Sequence, residues 1–269
     1  MTKILFTDID GTLLTDTKEI PEENRKAIEQ MTNAGHKIVL ATGRALPGAV
    51  SQAEKLSLTY DGCYVIAFNG GEIYDTYRKQ TLYKSRIPMD TVDKIFQLCE
   101  KEQVHVQTYD NTHVLAYHMN KHLERYCKEI VCEYKLVDDI TASLDQEPSK
   151  VLLLDYDNHE TLERMKELIL DVAGNTVDAF YSSPSLLEVV LKGTHKGVAV
   201  QKLCEILDIP LENSVAVGDG MNDIPMIKAA HIGVAMKNAN DTVKSQADYV
   251  TTLTNNEGGF AELVEKFLL

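Results

Sequence analysis

The sequence predicts a doubly wound, parallel-sheet (Rossmann-like) α/β core that carries an inserted α+β domain. Three observations predict it. The apolar run KILF (3–6) leads into FTDIDGT (6–12), so two carboxylates and a Gly stand where a strand runs out. A helix-period stretch and a second apolar run follow at once, which is the order of a βαβ unit. Near the other end, SVAVGDGMND (214–223) repeats the plan of apolar strand, Gly and acidic residues.

The elements follow in order. Pro21 opens the first helix, Ala27, Ile28 and Met31 recur at helical spacing, and Ala34-Gly35 closes it. KIVLAT (37–42) is the second strand and runs into Gly43-Arg44. Further on the pattern changes. Val92, Ile95, Phe96 and Cys99 mark an amphipathic helix, followed by strands at 104–109 and 113–117 with a turn at Asp110-Asn111. Leu162, Met165, Ile169 and Val172 mark a second such helix, with Asp157 and Glu160 as its capping box. Strands at 176–181 and 186–191 flank a Ser-Ser-Pro-Ser turn. This recurrence of helix, strand and strand predicts an insertion over 84–190, which leaves 1–83 and 191–269 to form the core. In the latter part, strand 214–219 leads to a helix around 222–230, a strand at 232–236, a short helix, a strand at 247–251 and a last helix.

Asp and Glu number 41 against 27 Lys and Arg, a net charge of −14. A polyanion would meet a repulsive field, which argues against nucleic acid as a partner. A small anion is acceptable where a metal or a few cations neutralise it. No apolar run approaches the ~20 residues needed to span a bilayer. MTKILFTDID also lacks the apolar core of a signal peptide. A cytoplasmic protein with no membrane partner is therefore expected, and its five scattered cysteines read as reduced thiols.

In parallel α/β sheets, ligands bind beyond the carboxyl ends of the strands. Three such ends carry polar residues: Asp8 with Asp10, Thr42, and Asp219 with Asp223. Each alone is an ordinary turn. On one sheet edge they would gather four carboxylates and a hydroxyl, and like charges that close need a cation, a proton or a reaction. Oxygen ligands point to Mg²⁺. A calcium loop starting at Asp8 would match at Asp10 and Glu19, but Leu13 stands where that loop requires Gly. GDGMND supplies G-x-G, but Asp223 takes the third Gly position and would repel a pyrophosphate. HMNKHLERYCKEIVC (118–132) brings His118, His122, Cys127 and Cys132 together. Its spacing is not that of a zinc finger, and a solvated helix with two buried thiols is the preferred reading. His195 reads as a loop residue.

DIDGT (8–12), the Thr of ATGR (41–44), Lys196-Gly197 and GDGMND (218–223), in this order, resemble the four motifs of the haloacid dehalogenase-like (HAD) phosphatases. The long insertion between the second and third motifs resembles the Cof-type branch, whose members mostly hydrolyse small phosphorylated metabolites such as sugar phosphates. The resemblance implies that Asp8 is the nucleophile that forms an aspartyl phosphate. It implies that Asp10 protonates the leaving alcohol and then takes a proton from water. Mg²⁺ would be held by the Asp8 carboxylate, the Asp10 backbone carbonyl and Asp219, with Asp223 a ligand or a supporting partner. Thr42, Lys196, Asn222 and the Ile9 and Gly43 amides would grip the phosphoryl oxygens. Asn69-Gly70, in AFNGGEIY, matches a turn beside the substrate, with Gly71 where this branch more often has Ala. Arg44 would reach the phosphate or brace its loop.

Alternate residues of an extended segment point the same way, so Asp8 and Asp10 can face one phosphate while Gly11 lets the backbone turn away. The segment from Asp10 to Thr42 has room only for a loop and one helix, so the insertion must be the later one. It would act as a cap that carries specificity. The alternatives are a phosphotransferase or phosphomutase, and a non-catalytic sugar-phosphate sensor. A sensor needs neither Asp8 nor Asp10.

Overall fold

The computed structural model describes residues 2–110, 112–130 and 132–269. The chain divides into two compact units, Met1–Tyr83 with His195–Leu269, and Lys84–Thr194. The first unit begins with β1 (Ile4–Thr7), α1 (Glu22–Asn33), β2 (Lys37–Ala41), α2 (Leu46–Lys55), β3 (Cys63–Ala67), β4 (Glu72–Asp75) and β5 (Gln80–Lys84). Pro21 precedes α1, where a missing N–H costs nothing. Ala27, Ile28 and Met31 are buried on its inner face.

The second unit runs through α3 (Met89–Glu102), β6 (His105–Tyr109), β7 (His113–Ala116), α4 (Lys121–Ile130) and β8 (Glu133–Leu136). It continues with β9 (Lys150–Leu154), α5 (His159–Val172), β10 (Val177–Ser183) and β11 (Leu186–Leu191). Among the described residues its sheet has the order β10-β11-β9-β6-β7-β8, antiparallel except for the β7–β8 pair. Alternation along β9 divides the two faces. Val151 and Leu153 pack with Ile95 and Phe96 of α3 and with Leu162 and Met165 of α5, while Leu152 and Leu154 pack with Leu123 and Tyr126 of α4.

Six details depart from the sequence reading or lie beyond it. The expected boundary at 190 falls inside β11, whose pairing with β10 runs through Leu191, so the unit extends to Thr194. The cap of α5 is Asn158 rather than Asp157, its side chain accepting from the Glu160 amide. Val172, expected on the apolar stripe, is 39% exposed at the last turn. Of the turn expected at Asp110-Asn111, Asn111 lies outside the described residues, while Asp110 Oδ1 accepts from the Thr112 and His113 amides. Cys127 is buried but Cys132 is only partly so. His118 pairs with Glu100, and His122 stands beside Asp155 and Asp157 rather than the thiols.

The chain returns to the first unit with α6 (Lys196–Ile206), β12 (Ser214–Gly218), α7 (Ile224–Ala229), β13 (Ile232–Ala235), α8 (Asp241–Lys244), β14 (Tyr249–Val250) and α9 (Gly259–Phe267). Over the described residues its sheet has the order β14-β13-β12-β1-β2-β3-β4-β5. The pairs from β14 to β3 are parallel, and β4 runs antiparallel to β3. Ile4, Phe6, Val39 and Ile66 pack with Ala199, Leu203 and Met226. Thr7 is level with Val217 on one side and Leu40 on the other. The strand order reverses at β1, so the carboxyl ends of β12, β1 and β2 open on one crevice, the position at which such sheets bind ligands. No helix among the described residues is long and apolar enough to cross a membrane.

Candidate active site

The Asp8 amide donates to the Val217 carbonyl at 3.0 Å, extending the β1–β12 pairing one residue beyond the strand. This holds the Asp8 carboxylate at the sheet edge. Gly11 then turns the chain with φ +82°, and a Cβ there would lie 2.5 Å from Asp219 Oδ2. Only Gly satisfies both conditions. Thr12 Oγ1 donates to Asp219 Oδ1 at 2.7 Å, and Asn238 Nδ2 donates to the Gly11 carbonyl at 2.8 Å.

Lys196 stands at the start of α6 and is fully buried. Its Nζ is 2.6 Å from both Asp8 Oδ1 and Asp223 Oδ1. The other Asp223 oxygen accepts from the Asp219 and Gly220 amides at 3.0 and 2.8 Å. Asp223 therefore ties the loop after β12 to the lysine. His195 is more than a loop residue: it caps α6, its ring nitrogen accepting from the Val198 amide at 3.3 Å.

Asp8, Asp219 and Asp223 offer carboxylate oxygens within 4.8 Å of one another. Burial pushes the Asp8 carboxyl up to about 8 against the pull of Lys196, with Asp223 and Asp219 adding to the rise. Burial also raises Asp219. It disfavours the Lys196 charge as well, but Asp223 and Asp8 outweigh it and hold the ammonium above its usual value. Only part of the trio's charge is offset by this one ammonium, and carboxylates so arranged favour a cation.

Asp10 lines the same crevice, as expected, but stands outside the trio of clustered oxygens. Its side chain meets Lys18 Nζ at 2.8 Å and Arg44 Nη2 at 3.0 and 2.9 Å. Burial works to raise its pKa, but these two cations bring it below the usual carboxylate value. Arg44 thus braces Asp10.

The crevice holds a cavity of about 260 Å³. Its walls include Asp8, Asp10, Asp219 and Asp223 together with Thr42, Gly43, Arg44 and Asn222. The other expected residues do not line it. Ile9 is fully buried, Lys196 meets Asp8 from within the core, and Asn69 and Gly70 are buried beside Asn222 and the start of α6. Three contributors were missed by sequence reasoning. Thr12 sits inside the DIDGT motif, which was the signal for it. Lys18 and Asn238 carry no signal, because their partners are set by loop conformation.

A doubly wound α/β core with an acidic crevice at its switch point places the protein among the phosphate-ester hydrolases of this architecture. The chain belongs to the haloacid dehalogenase-like hydrolases, whose family model matches residues 5–264, and it is a phosphatase of the Cof type. A 5-amino-6-(5-phospho-D-ribitylamino)uracil phosphatase of Bacillus subtilis is 33% identical over 267 residues, 99% of this chain and 96% of that one. A solved haloacid dehalogenase-like hydrolase from Bacteroides thetaiotaomicron superposes with a TM-score of 0.89 at 30% identity, covering 99% of each chain. A solved sugar phosphatase of HAD subclass IIB superposes with a TM-score of 0.81 at 27% identity, covering 98% of each.

Proposed function

We propose that the protein is a Mg²⁺-dependent phosphatase of small phosphorylated metabolites, sugar and polyol phosphates foremost, which works through an aspartyl phosphate on Asp8. The observation that carries this reading is the buried Asp8–Lys196 pair inside a cluster with Asp219 and Asp223. Lys196 orients one Asp8 oxygen and leaves the carboxylate facing the cavity. The relatives that act on a phosphoribityl compound and on sugar phosphates support the substrate class.

The donor set suits Mg²⁺, since all its ligands are hard oxygens. The Asp8 and Asp219 carboxylates and the Asp10 backbone carbonyl would hold the ion. Asp223, whose two oxygens already serve Lys196 and two amides, supports them. When bound, Mg²⁺ offsets the repulsion between an anionic nucleophile and an anionic phosphoryl group.

The Asp8 carboxylate, which bound Mg²⁺ would keep ionised, attacks phosphorus as the bond to the alcohol oxygen breaks, and Asp10 gives that oxygen the proton it took from water in the preceding turnover. Water then bonds to phosphorus and passes a proton to Asp10, while the bond to Asp8 breaks and phosphate leaves. Lys18 and Arg44 favour the ionised form of Asp10, which suits the second step. In the first step the incoming phosphoryl group competes with Asp10 for Arg44. Thr42, Asn222 and the Gly43 amide, on the cavity wall, hold the phosphoryl oxygens, while Lys196 and the Ile9 amide, which do not line it, act from behind Asp8. The core recognises the phosphoryl end, and choice among alcohols is assigned to the inserted unit, acting as a cap.

The test is phosphate release from a panel of phosphorylated metabolites, with Mg²⁺ and with EDTA. Metal-dependent release from a few sugar phosphates is expected, and Asp8→Asn should abolish it without unfolding the protein. Silence across the panel from a folded protein, or substantial turnover by the variant, would overturn the reading.

A further inference from the structure

Three consecutive residues after β3 take left-handed backbone angles, Phe68 at φ +52°, Asn69 at +54° and Gly70 at +108°. Such a run is unfavourable for Phe and persists only where the surroundings hold it. They do so on three sides. The Phe68 and Asn69 amides donate to the Arg44 and Thr42 carbonyls at 2.9 and 3.0 Å, which stitches the turn to the loop after β2. Gly70 lies against the start of α6, where a Cβ would fall 2.4 Å from the His195 carbonyl oxygen and 3.0 Å from the Lys196 nitrogen. Asn69 Oδ1 accepts from Asn222 Nδ2 at 3.0 Å. One turn therefore touches each of the three segments that carry Thr42, Lys196 and Asn222.

The Asn69 side chain is the centre of this arrangement. It is 3% exposed and does not line the cavity. Its Nδ2 is a buried donor with no hydrogen-bond partner. A Cβ on Gly43 would lie 3.0 Å from that nitrogen, so the amide fills the space beneath the Gly43 backbone. A buried donor left unmatched is costly. Its neighbours here are the two loops whose Gly43 and Asn222 line the cavity.

We infer that Asn69 is a positioning residue: it sets the Asn222 amide and the Gly43 backbone against the Asp8–Lys196 pair without itself touching the substrate. This revises the expectation that Asn69 binds the substrate, and it rests on the proposed function. Because Asn69 meets only phosphoryl-holding segments, its removal weakens the hold on every substrate equally.

The test is a double-mutant cycle of Asn69→Gly and Asn222→Ala. Gly suits the left-handed backbone, so the substitution removes the amide without adding strain. Turnover of two phosphate esters with different alcohols and inhibition by orthovanadate are the readouts. Each single variant should lower kcat/KM about 10- to 100-fold, as loss of a residue supporting a site typically does. Vanadate should weaken in parallel, the ratio between the two esters should stay unchanged, and the double variant should be no worse than the poorer single. If Asn69→Gly folds poorly by circular dichroism, Asn69→Asp takes its place. That carboxylate accepts from Asn222 and is stranded by Asn222→Ala, so the double variant should then be worse than the product of the singles. Losses that simply multiply, or a changed ester ratio, would overturn this inference alone. A wild-type protein without Mg²⁺-dependent turnover would overturn the functional reading and this inference with it.

Discussion

Lys196→Met removes the one ammonium shared by Asp8 and Asp223 and keeps a side chain of similar length. The lysine is fully buried, both of its contacts are 2.6 Å and the Asp223 side chain is 1% exposed, so Asp223 has no water to replace the ammonium, while Asp8 keeps only its cavity side. Breaking a buried ion pair by deleting one partner costs about 3–5 kcal/mol, because it strands the other charge. That is a large share of the roughly 5–15 kcal/mol that holds a domain folded. The loss should depend on pH in a defined direction. Burial already lifts the Asp8 carboxyl to about 8, and removing Lys196 takes away what opposes the rise. A carboxyl whose folded pKa lies above its unfolded one binds its proton more tightly when folded. Its contribution is therefore present below the unfolded pKa and lost as pH rises through the folded value. The variant should be most destabilised above about pH 8 and recover as pH falls toward about 5, where Asp8 is protonated. Mg²⁺ should restore part of the loss at high pH. Urea unfolding followed by circular dichroism measures this, since the chain has no Trp for fluorescence. A loss below about 1 kcal/mol, or one of the same size across that pH range, would refute the electrostatic reading.

Gly11→Ala should act on the same cluster from the other side. The left-handed angle costs about 1–2 kcal/mol for an L residue, and the new methyl would displace Asp219. The Mg²⁺ concentration for half-maximal activity should rise about tenfold or more; an unchanged requirement would count against Asp219 as a ligand. In the second unit, burial pushes His105 down to about 4, and its ring nitrogens meet Gln107 at 3.0 Å and Asn120 at 2.7 Å. A base whose folded pKa lies below its unfolded one loses stability as pH falls from the unfolded value through the folded one. Acidification from about 6.5 to 4 should therefore cost this unit up to about 3 kcal/mol. His105→Gln should flatten that dependence, and equal acid sensitivity in both proteins would refute the assignment.

The plan of the core is legible because parallel strands buried on both faces read as continuous apolar runs. β1, β2, β12 and β13 all lie within a residue or two of their expected places. The meeting of Asp8, Thr42 and Asp219 then follows from topology alone, since the carboxyl ends of neighbouring parallel strands share an edge. β5 and β8 escape for the opposite reason: EYKL of β8 is exposed throughout and QTLYK of β5 has no buried residue, so neither carries an alternating pattern. α6 escapes because buried Lys196, Gly197, Ala199, Val200, Leu203 and Cys204 cover most of its circumference and leave a weak period. His195 is also outside the usual set of capping residues.

What spacing cannot reveal is which partner each charge takes. Asp8 and Asp10 stand two residues apart and read as one acidic site, yet each is neutralised differently. Asp8 enters the core and meets Lys196 from α6, while Asp10 stays half-exposed and is clamped by Lys18 and Arg44 from two loops. Burial raises one carboxyl and cations lower the other. Among the chain's own groups this is the reverse of what the proposed reaction uses, an ionised nucleophile and a protonated acid. Bound Mg²⁺ would therefore have to lower Asp8, and the incoming phosphoryl group to draw Arg44 from Asp10. The motif puts both groups on the wall of one cavity. Their separate environments come from Lys18, Arg44 and Lys196, which only the fold brings to them.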